Sequence, residues 1–126
     1  MRLLIDTHIL IWFLEGNKSL SKPRRQIITE PQNDVLVSIA SLWEMAIKIS
    51  LGKLTLAQPF ADVIKQIAVE NIEILTVFPE HALQVSILSF HHRDPFDRII
   101  IAQAQVENLP VMTDDGDFGN YAISVL

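Results

Sequence analysis

The chain has 126 residues, of which 49% are hydrophobic and 20% are charged, and its formal net charge at pH 7 is −5. A chain of this length and composition is expected to form a single globular domain, 1–126, with no room for a second domain. The lack of cysteine excludes a disulfide framework and thiolate chemistry. Because no apolar run approaches the roughly 20 residues of a membrane span, and the N-terminus lacks a signal-peptide pattern, we expect a cytoplasmic protein without membrane attachment.

The first half of the chain alternates between short apolar runs, which predict strands, and longer apolar or amphipathic runs, which predict helices. In chain order these are a strand at 3–5, helices at 7–14 and 22–29, a strand at 35–37, and helices at 42–49 and 59–68. Thr7 is a candidate N-cap of the first helix, and Ser21 of the second. Either Ser38 or Ser41 caps the third helix, and Ser41 with Glu44 has the spacing of a capping box.

The second half continues the same alternation. Its predicted elements are a strand at 72–77, helices at 79–89 and 95–107, and strands at 111–113 and 122–125. Asp94 before Pro95 is a favourable start for the helix at 95–107, which is apolar along most of its length. The alternation of five strands with helices predicts an α/β fold with a mostly parallel sheet.

Acidic side chains cluster after the predicted strands. Asp6 directly follows the first strand, Glu44 lies early in the helix after the second, and 114–117 (DDGD) follows the fourth. Asp97 lies in the first turn of a predicted buried helix. In a parallel sheet the carboxyl ends of the strands meet at one edge, where ligands bind. Carboxylates gathered there need compensation, which Mg²⁺ or Mn²⁺ supplies by accepting oxygen ligands.

Each acid also has a purely structural explanation. Glu44 can complete the capping box with Ser41, Asp97 can balance the positive end of its helix, and 114–117 can be an ordinary acidic turn. Asp6 is hardest to explain this way, because a carboxylate directly after a buried strand has little reason to be there for solvation alone. The shared location of the acids favours a cation site over four separate explanations.

Four stretches carry a family resemblance. They are 4–8 (LIDTH), 38–44 (SIASLWE), 92–104 (HRDPFDRIIIAQA) and 113–118 (TDDGDF). In this order and spacing they resemble PIN domains, and more narrowly the ribonuclease toxins of VapBC-type toxin–antitoxin pairs. The resemblance implies a three-layer α/β/α sandwich with a five-stranded, mostly parallel sheet. It also implies an acidic pocket that binds Mg²⁺, or Mn²⁺, and cuts RNA.

The resemblance assigns roles to individual side chains. Carried over by position, the four catalytic, metal-binding acids are Asp6, Glu44, Asp97 and Asp115. Asp117 is the alternative to Asp115 as the fourth acid. Asp94 is expected to support the structure. Thr113 and Thr7 are expected not to bind the metal themselves but to hydrogen-bond to a carboxylate or a water molecule that does.

Contacts to RNA and to partners are expected elsewhere on the chain. Arg93, Arg98 and the basic segment 18–25 are candidates for the RNA backbone, and His91 and His92 are loop histidines of lesser promise. Trp12 and Trp43 are expected to face the core or a partner rather than to stack on bases. The resemblance further implies a cognate VapB-like antitoxin and a homodimer.

The function predicted from the sequence is therefore metal-assisted hydrolysis of RNA phosphodiesters by the toxin of a VapBC-type pair. One alternative is a catalytically silent PIN-like module that binds a protein partner. A second is a metal-dependent phosphatase, against which the chain has no second carboxylate two residues after Asp6.

Overall fold

A computed structural model describes residues 1–126, and a four-stranded sheet lies at its centre. The strands are β1 (Arg2–Ile5), β2 (Asp34–Ser38), β3 (Glu73–Leu75) and β4 (Val111–Met112), in the spatial order β3-β2-β1-β4. All three pairings are parallel. The carboxyl ends of the strands therefore lie at the same edge of the sheet.

Six helices connect and cover the strands. They are α1 (Thr7–Glu15), α2 (Lys22–Thr29), α3 (Ile39–Ser50), α4 (Phe60–Val69), α5 (Pro79–Ser86) and α6 (Pro95–Glu107). A short 3₁₀ helix, Gly116–Asn120, follows β4. Every predicted helix is present, and α6 has the predicted bounds because Asp94 and Pro95 start it and the left-handed Asn108 ends it.

Side chains of the strands alternate between two apolar clusters, one on each face of the sheet. Leu3 and Ile5 of β1 pack with residues of α1, α2, α3 and α4, whereas Leu4 packs with Ile100 and Ile101 of α6. All of these side chains are fully buried, and each contributes about 1.5–3 kcal/mol by leaving water. The predicted three-layer α/β/α sandwich is confirmed.

The predicted fifth strand at 122–125 is wrong. Only Val125 pairs with the sheet, as an isolated parallel bridge to Val111 of β4. The preceding chain is diverted by the 3₁₀ helix and by Tyr121, which is buried in the cluster beneath α6. The Ile123 N–H donates to the Tyr121 carbonyl at 2.8 Å in a tight turn. This turn occupies residues 121–123, which therefore cannot extend a strand.

One predicted helix start is wrong, and for another the structure selects between the two predicted caps. Asp6, not Thr7, caps α1, and its Oδ1 accepts a hydrogen bond from the Ile9 N–H at 2.9 Å. Ser38 caps α3, with its Oγ accepting from the Ala40 N–H at 3.0 Å, so Ser41 lies inside the helix and forms no capping box. The predicted caps of α2 and α6 are confirmed. None of the helices has both the length and the apolar character needed to cross a membrane.

Candidate active site

A cavity of about 170 Å³ opens at the carboxyl edge of the sheet, and no hydrophobic side chain lines it. Its lining consists of Asp6, Thr7, His8, Glu44, Lys48, Asp94, Asp97 and Asp115. Five carboxylates thus face a single lysine. The sequence-predicted acids come from four separate segments of the chain, and the parallel topology brings them to one place.

Asp6 connects β1 to the loop that follows β4. Its Oδ2 accepts a hydrogen bond from the Thr113 Oγ1 at 2.5 Å, and that Oγ1 accepts one from the Asp115 N–H at 3.0 Å. Burial raises the pKa of the Asp6 carboxyl, and the charge of Asp115 raises it further. Hydrogen bonds from Thr113 and the Ile9 N–H, and the nearby His8, oppose this rise but do not cancel it. The Thr113 hydroxyl is thus a hydrogen-bond donor to the Asp6 carboxylate.

Asp97 is the most perturbed acid of the cavity. Burial raises its pKa to about 7, with further contributions from the negative charges of Asp94, Glu44, Asp115 and Asp6. An acid that merely balanced the positive end of a helix would have a lowered pKa, so that explanation does not fit. Asp94 caps α6 by accepting from the N–H groups of Phe96 and Asp97 at 2.9 and 3.1 Å, which is the structural role predicted for it.

Glu44 lies on α3 and is almost fully buried, with 4% of its surface exposed. Its Oε1 accepts from the Thr7 Oγ1 at 2.7 Å, and its Oε2 accepts from the Lys48 Nζ at 2.6 Å. Thr7 is also hydrogen-bonded to the Ser41 Oγ at 2.8 Å. Glu44 is therefore the acid of this cavity whose charge the chain already balances. Lys48 was not selected from the sequence, although its spacing of four residues from Glu44 on a helix was a signal for the pair.

The two candidate acids in the loop after β4, Asp115 and Asp117, occupy different environments. Asp115 lines the cavity and raises the pKa of both Asp6 and Asp97, whereas Asp117 does neither. The Asp117 N–H instead donates to the Asp115 Oδ1 at 2.9 Å, as the first turn of the 3₁₀ helix. Asp114 pairs with Arg24 at 3.2 Å, outside the cavity. The geometry therefore favours Asp115 as the fourth acid.

His92 belongs to the site more closely than the sequence indicated. Its Nδ1 lies 2.9 Å from the Tyr121 hydroxyl, and its Nε2 lies 3.5 Å from the Asp97 Oδ2. That Nε2 is buried and has no hydrogen-bond partner. Ligand atoms of His92, Asp97 and Asp115 lie within 4.8 Å of one another. Imidazole and carboxylate are common ligands of divalent metals, so the residues present fit a cation. No sequence periodicity places a loop histidine, which is why this contact was not predicted.

The expected RNA contacts of Arg98, and of Arg24 in the basic segment, are not supported by their positions. Arg98 is buried, with its guanidinium donating to the carbonyls of Ser89 at 2.8 Å and Leu88 at 3.2 Å. The Arg24 guanidinium donates to the carbonyls of Thr113 and Leu126 at 2.9 and 3.0 Å. These arginines hold the chain itself together, because carbonyl groups of the chain already use their donors.

Arg93 and Trp43 are each next in sequence to a residue that lines the cavity, and both remain accessible. Arg93 is exposed and makes no hydrogen bond or ion pair within the chain, so it keeps its place as a candidate for RNA. Trp43 is 64% exposed and packs edge-on against Phe96, with the ring centroids 5.6 Å apart. Of the two positions expected for Trp43, this exposure indicates the partner-facing one, whereas Trp12 packs against the core.

The chain belongs to the PIN-domain family, because the family model described as "PIN domain" matches residues 3–124. PIN domains are generally nucleases, and the acidic cavity is consistent with that chemistry. No curated protein matches the chain significantly.

Solved structures of toxin–antitoxin complexes contain chains with the same fold. A chain of VapBC2 from Rickettsia felis, bound to a promoter DNA fragment, is 14% identical with a TM-score of 0.74, and the match covers 100% of this chain and 98% of that one. A chain of DNA-bound VapBC from Salmonella typhimurium is 16% identical with a TM-score of 0.73, over 100% and 97% of the two chains. A chain of VapBC-1 from nontypeable Haemophilus influenzae is 16% identical with a TM-score of 0.70, also over 100% and 97%. At these identities the likeness establishes the fold.

Proposed function

We propose that this PIN domain is a Mg²⁺-dependent endoribonuclease, with Mn²⁺ as an alternative cation, and the toxin of a VapBC-type pair. The observation that carries the proposal is the set of unbalanced acids at the sheet edge, Asp6, Asp97 and Asp115. A pKa of about 7 for Asp97 means that burial and the neighbouring carboxylates resist ionisation of this carboxyl at neutral pH. A divalent cation relieves that cost and makes the ionised form stable.

Asp6, Asp97 and Asp115 are the residues that would hold the cation, with His92 beside them. When bound, the cation supplies Lewis-acid stabilisation of the phosphodiester and promotes ionisation of the attacking water. Thr113 fixes the orientation of Asp6 through its 2.5 Å hydrogen bond, and the Asp115 N–H fixes Thr113 in turn. Such supporting hydrogen bonds keep carboxylates in the geometry that a cation requires.

RNA is the proposed substrate, single-stranded or structured. The lining of the cavity carries five acids and one lysine, so a phosphodiester is repelled until a cation is present. Activity should therefore depend strictly on the metal. Arg93, which is exposed one residue before the α6 cap, is the proposed contact for the RNA backbone.

The proposed partners are a VapB-like antitoxin and a second copy of the chain, in the cytoplasm. Support comes from the structural neighbours, which are toxin–antitoxin complexes, and from apolar side chains exposed around α3 and α5. These are Ile39, Trp43, Phe78, Leu83, Ile87 and Phe90. Apolar surface of this kind on a small protein marks interaction sites.

The test is cleavage of a mixed, end-labelled single-stranded RNA with Mg²⁺, with Mn²⁺ and with a chelator. The wild-type chain is compared with Asp97→Asn and with Asp62→Asn, a control that removes an exposed acid of α4 outside the cavity. Cleavage that requires metal and is lost in Asp97→Asn alone supports the proposal. Faster hydrolysis of a chromogenic phosphate monoester than of RNA would favour the phosphatase alternative. A folded wild-type chain that binds no metal and cuts nothing would favour the silent module.

A further inference from the structure

Lys48 is the one lysine or arginine that lines the acidic cavity. Its ammonium lies 2.6 Å from the Glu44 Oε2, and the negative charges of Asp94 and Asp97 also act on it. Its side chain is 40% exposed, so a ligand in the cavity can reach it. A buried acid and a partly exposed lysine thus form a fixed pair at one side of the cavity.

The carboxylates that we propose as site residues consequently fall into two sets, one that is already paired with a cation of the chain and one that is not. Glu44 has an ammonium partner and a hydroxyl donor on its two oxygens. Asp6, Asp97 and Asp115 have no lysine or arginine within ion-pair distance. A cation entering the cavity gains most from the three unbalanced acids. At Glu44 it would have to displace a bound ammonium.

We propose that Lys48 is a catalytic residue that binds a non-bridging oxygen of the scissile phosphate, and that Glu44 positions Lys48 instead of coordinating the cation. The inference rests on the proposed nuclease function. An ammonium carries three N–H donors, and Glu44 uses one of them, which leaves two for phosphate oxygens. Lysine commonly binds phosphate as a point charge.

The same arrangement implies that one bound cation is enough for cleavage of the phosphodiester. In two-metal nucleases a pair of cations clamps the phosphate from two sides. Here the ammonium of Lys48, which Glu44 holds at the cavity, would supply the positive charge that a second cation supplies in those enzymes. The chain should therefore bind one Mn²⁺ in the absence of RNA.

The experiment combines Mn²⁺ titration calorimetry with cleavage kinetics on four variants. Lys48→Met removes the charge and keeps most of the side-chain stem, Lys48→Arg keeps the charge, and Glu44→Gln keeps the shape of the acid. Lys65→Met is the matched control, because Lys65 is exposed on α4 and lies outside the cavity. Circular dichroism verifies that each variant is folded.

We expect Lys48→Met to lower kcat about 100-fold, the usual effect of removing one group that stabilises transition-state charge. Its Mn²⁺ affinity should stay the same or become a few-fold tighter, because a positive charge has left the cavity. Lys48→Arg should recover at least about tenfold of the lost kcat, and Lys65→Met should behave as wild type. Glu44→Gln should lower kcat while changing Mn²⁺ affinity less than about threefold.

Three results would overturn the inference. A tenfold or larger loss of Mn²⁺ affinity in Glu44→Gln would make Glu44 a cation ligand. Two Mn²⁺ ions per wild-type chain would contradict the single-cation site. Wild-type kcat in Lys48→Met would show that Lys48 does not contact the phosphate, while leaving the nuclease proposal intact. If the wild-type chain neither binds Mn²⁺ nor cuts RNA, the proposed function fails as well.

Discussion

Two regions of this molecule bury ionisable side chains, and the chain treats them in opposite ways. Around Arg98 it supplies acceptors, since two backbone carbonyls take the guanidinium donors and the Phe90 ring lies 4.0 Å from its centre. Around Asp97 it supplies more negative charge and an unpaired histidine nitrogen. A buried charge satisfied by its own chain serves the fold, whereas one left unsatisfied requires something from outside.

Arg98→Met should give the largest change in stability. It leaves the buried carbonyl of Leu88 and the partly buried carbonyl of Ser89 without their donors and removes the guanidinium from the Phe90 ring. A buried unsatisfied group costs about 1–3 kcal/mol and a cation–π contact about 0.5–2 kcal/mol, so we expect a loss of about 4 kcal/mol in the free energy of unfolding. Urea denaturation measures this loss. Arg93→Met, an exposed arginine in the same segment, should stay within about 0.5 kcal/mol of wild type. Equal stabilities for the two variants would break the comparison.

Asp97→Asn should have the opposite effect on the metal-free protein. The pKa of Asp97 in the folded chain is about 7, above its ordinary value of 3.8, so the folded state holds a proton that the unfolded state has released. The contribution of Asp97 to the free energy of unfolding of the wild type should therefore fall as pH rises from about 4 to about 7. Above pH 7 the variant should be more stable than wild type by roughly 2–3 kcal/mol, which is less than the full pKa shift corresponds to, because Asp97 is partly exposed and solvent screens its charge.

The difference in stability between Asp97→Asn and wild type should vanish below about pH 4, where the carboxyl is protonated in both states. Denaturation in urea from pH 4 to pH 8, with a chelator present, measures it. Millimolar Mg²⁺ should reduce the advantage of the variant, because the cation stabilises only the wild-type carboxylate. A difference that is independent of pH would assign the effect of the substitution to packing instead of charge.

Thr113→Val should produce an intermediate effect on cation binding. The variant keeps the shape of the side chain but removes the hydroxyl that holds Asp6 and accepts from the Asp115 N–H. We expect Mn²⁺ affinity to weaken about tenfold, the lower end of the effect of losing such a supporting partner. Calorimetry reports the change, and Thr29→Val, at an exposed position on α2, is the matched control. Unchanged Mn²⁺ affinity in Thr113→Val would show that Asp6 keeps its orientation without the Thr113 hydroxyl.

The smallest effect is expected from Arg93→Ala. An exposed arginine that contacts a phosphate contributes to substrate binding but little to folding or to the chemical step. KM for RNA should rise about threefold at low salt while kcat is unchanged, and the rise should shrink as salt increases. Steady-state kinetics at two salt concentrations measure it. If Arg93→Ala has the same KM as wild type at low salt, Arg93 does not contact the RNA.

The layers of the fold and the meeting of the acids follow from patterns that the sequence carries locally. Apolar strands, helix caps such as Asp94 with Pro95, and parallel connectivity are enough to bring Asp6, Glu44, Asp97 and Asp115 to one edge. The predicted fifth strand, which the structure lacks, shows the limit of prediction from local sequence patterns. Its four residues have strand-like composition, but the burial of Tyr121, which depends on α6, decides their path.

Contacts with residues distant in the sequence, and the directions of side chains in loops, were the part that the sequence could not supply. The charge of Arg98 suggested a surface contact to RNA, and only the fold shows the carbonyls that surround it. His92 lies in a loop, where no periodicity indicates which way a side chain points. Asp6 was predicted as a site residue but not as a helix cap; it is both at once, although its position directly before the helix was a local signal for the cap. Roles that depend on distant partners require the three-dimensional structure.

The most direct test of the central claim, that the unbalanced acids form a cation site, is a calorimetric titration of Mn²⁺ at pH 7.5. It compares the wild-type chain with Asp97→Asn and with the surface control Asp62→Asn. The account predicts one Mn²⁺ per wild-type and control chain, and at least tenfold weaker binding to Asp97→Asn. Equal affinity in all three chains, or no binding to the wild type, would contradict it.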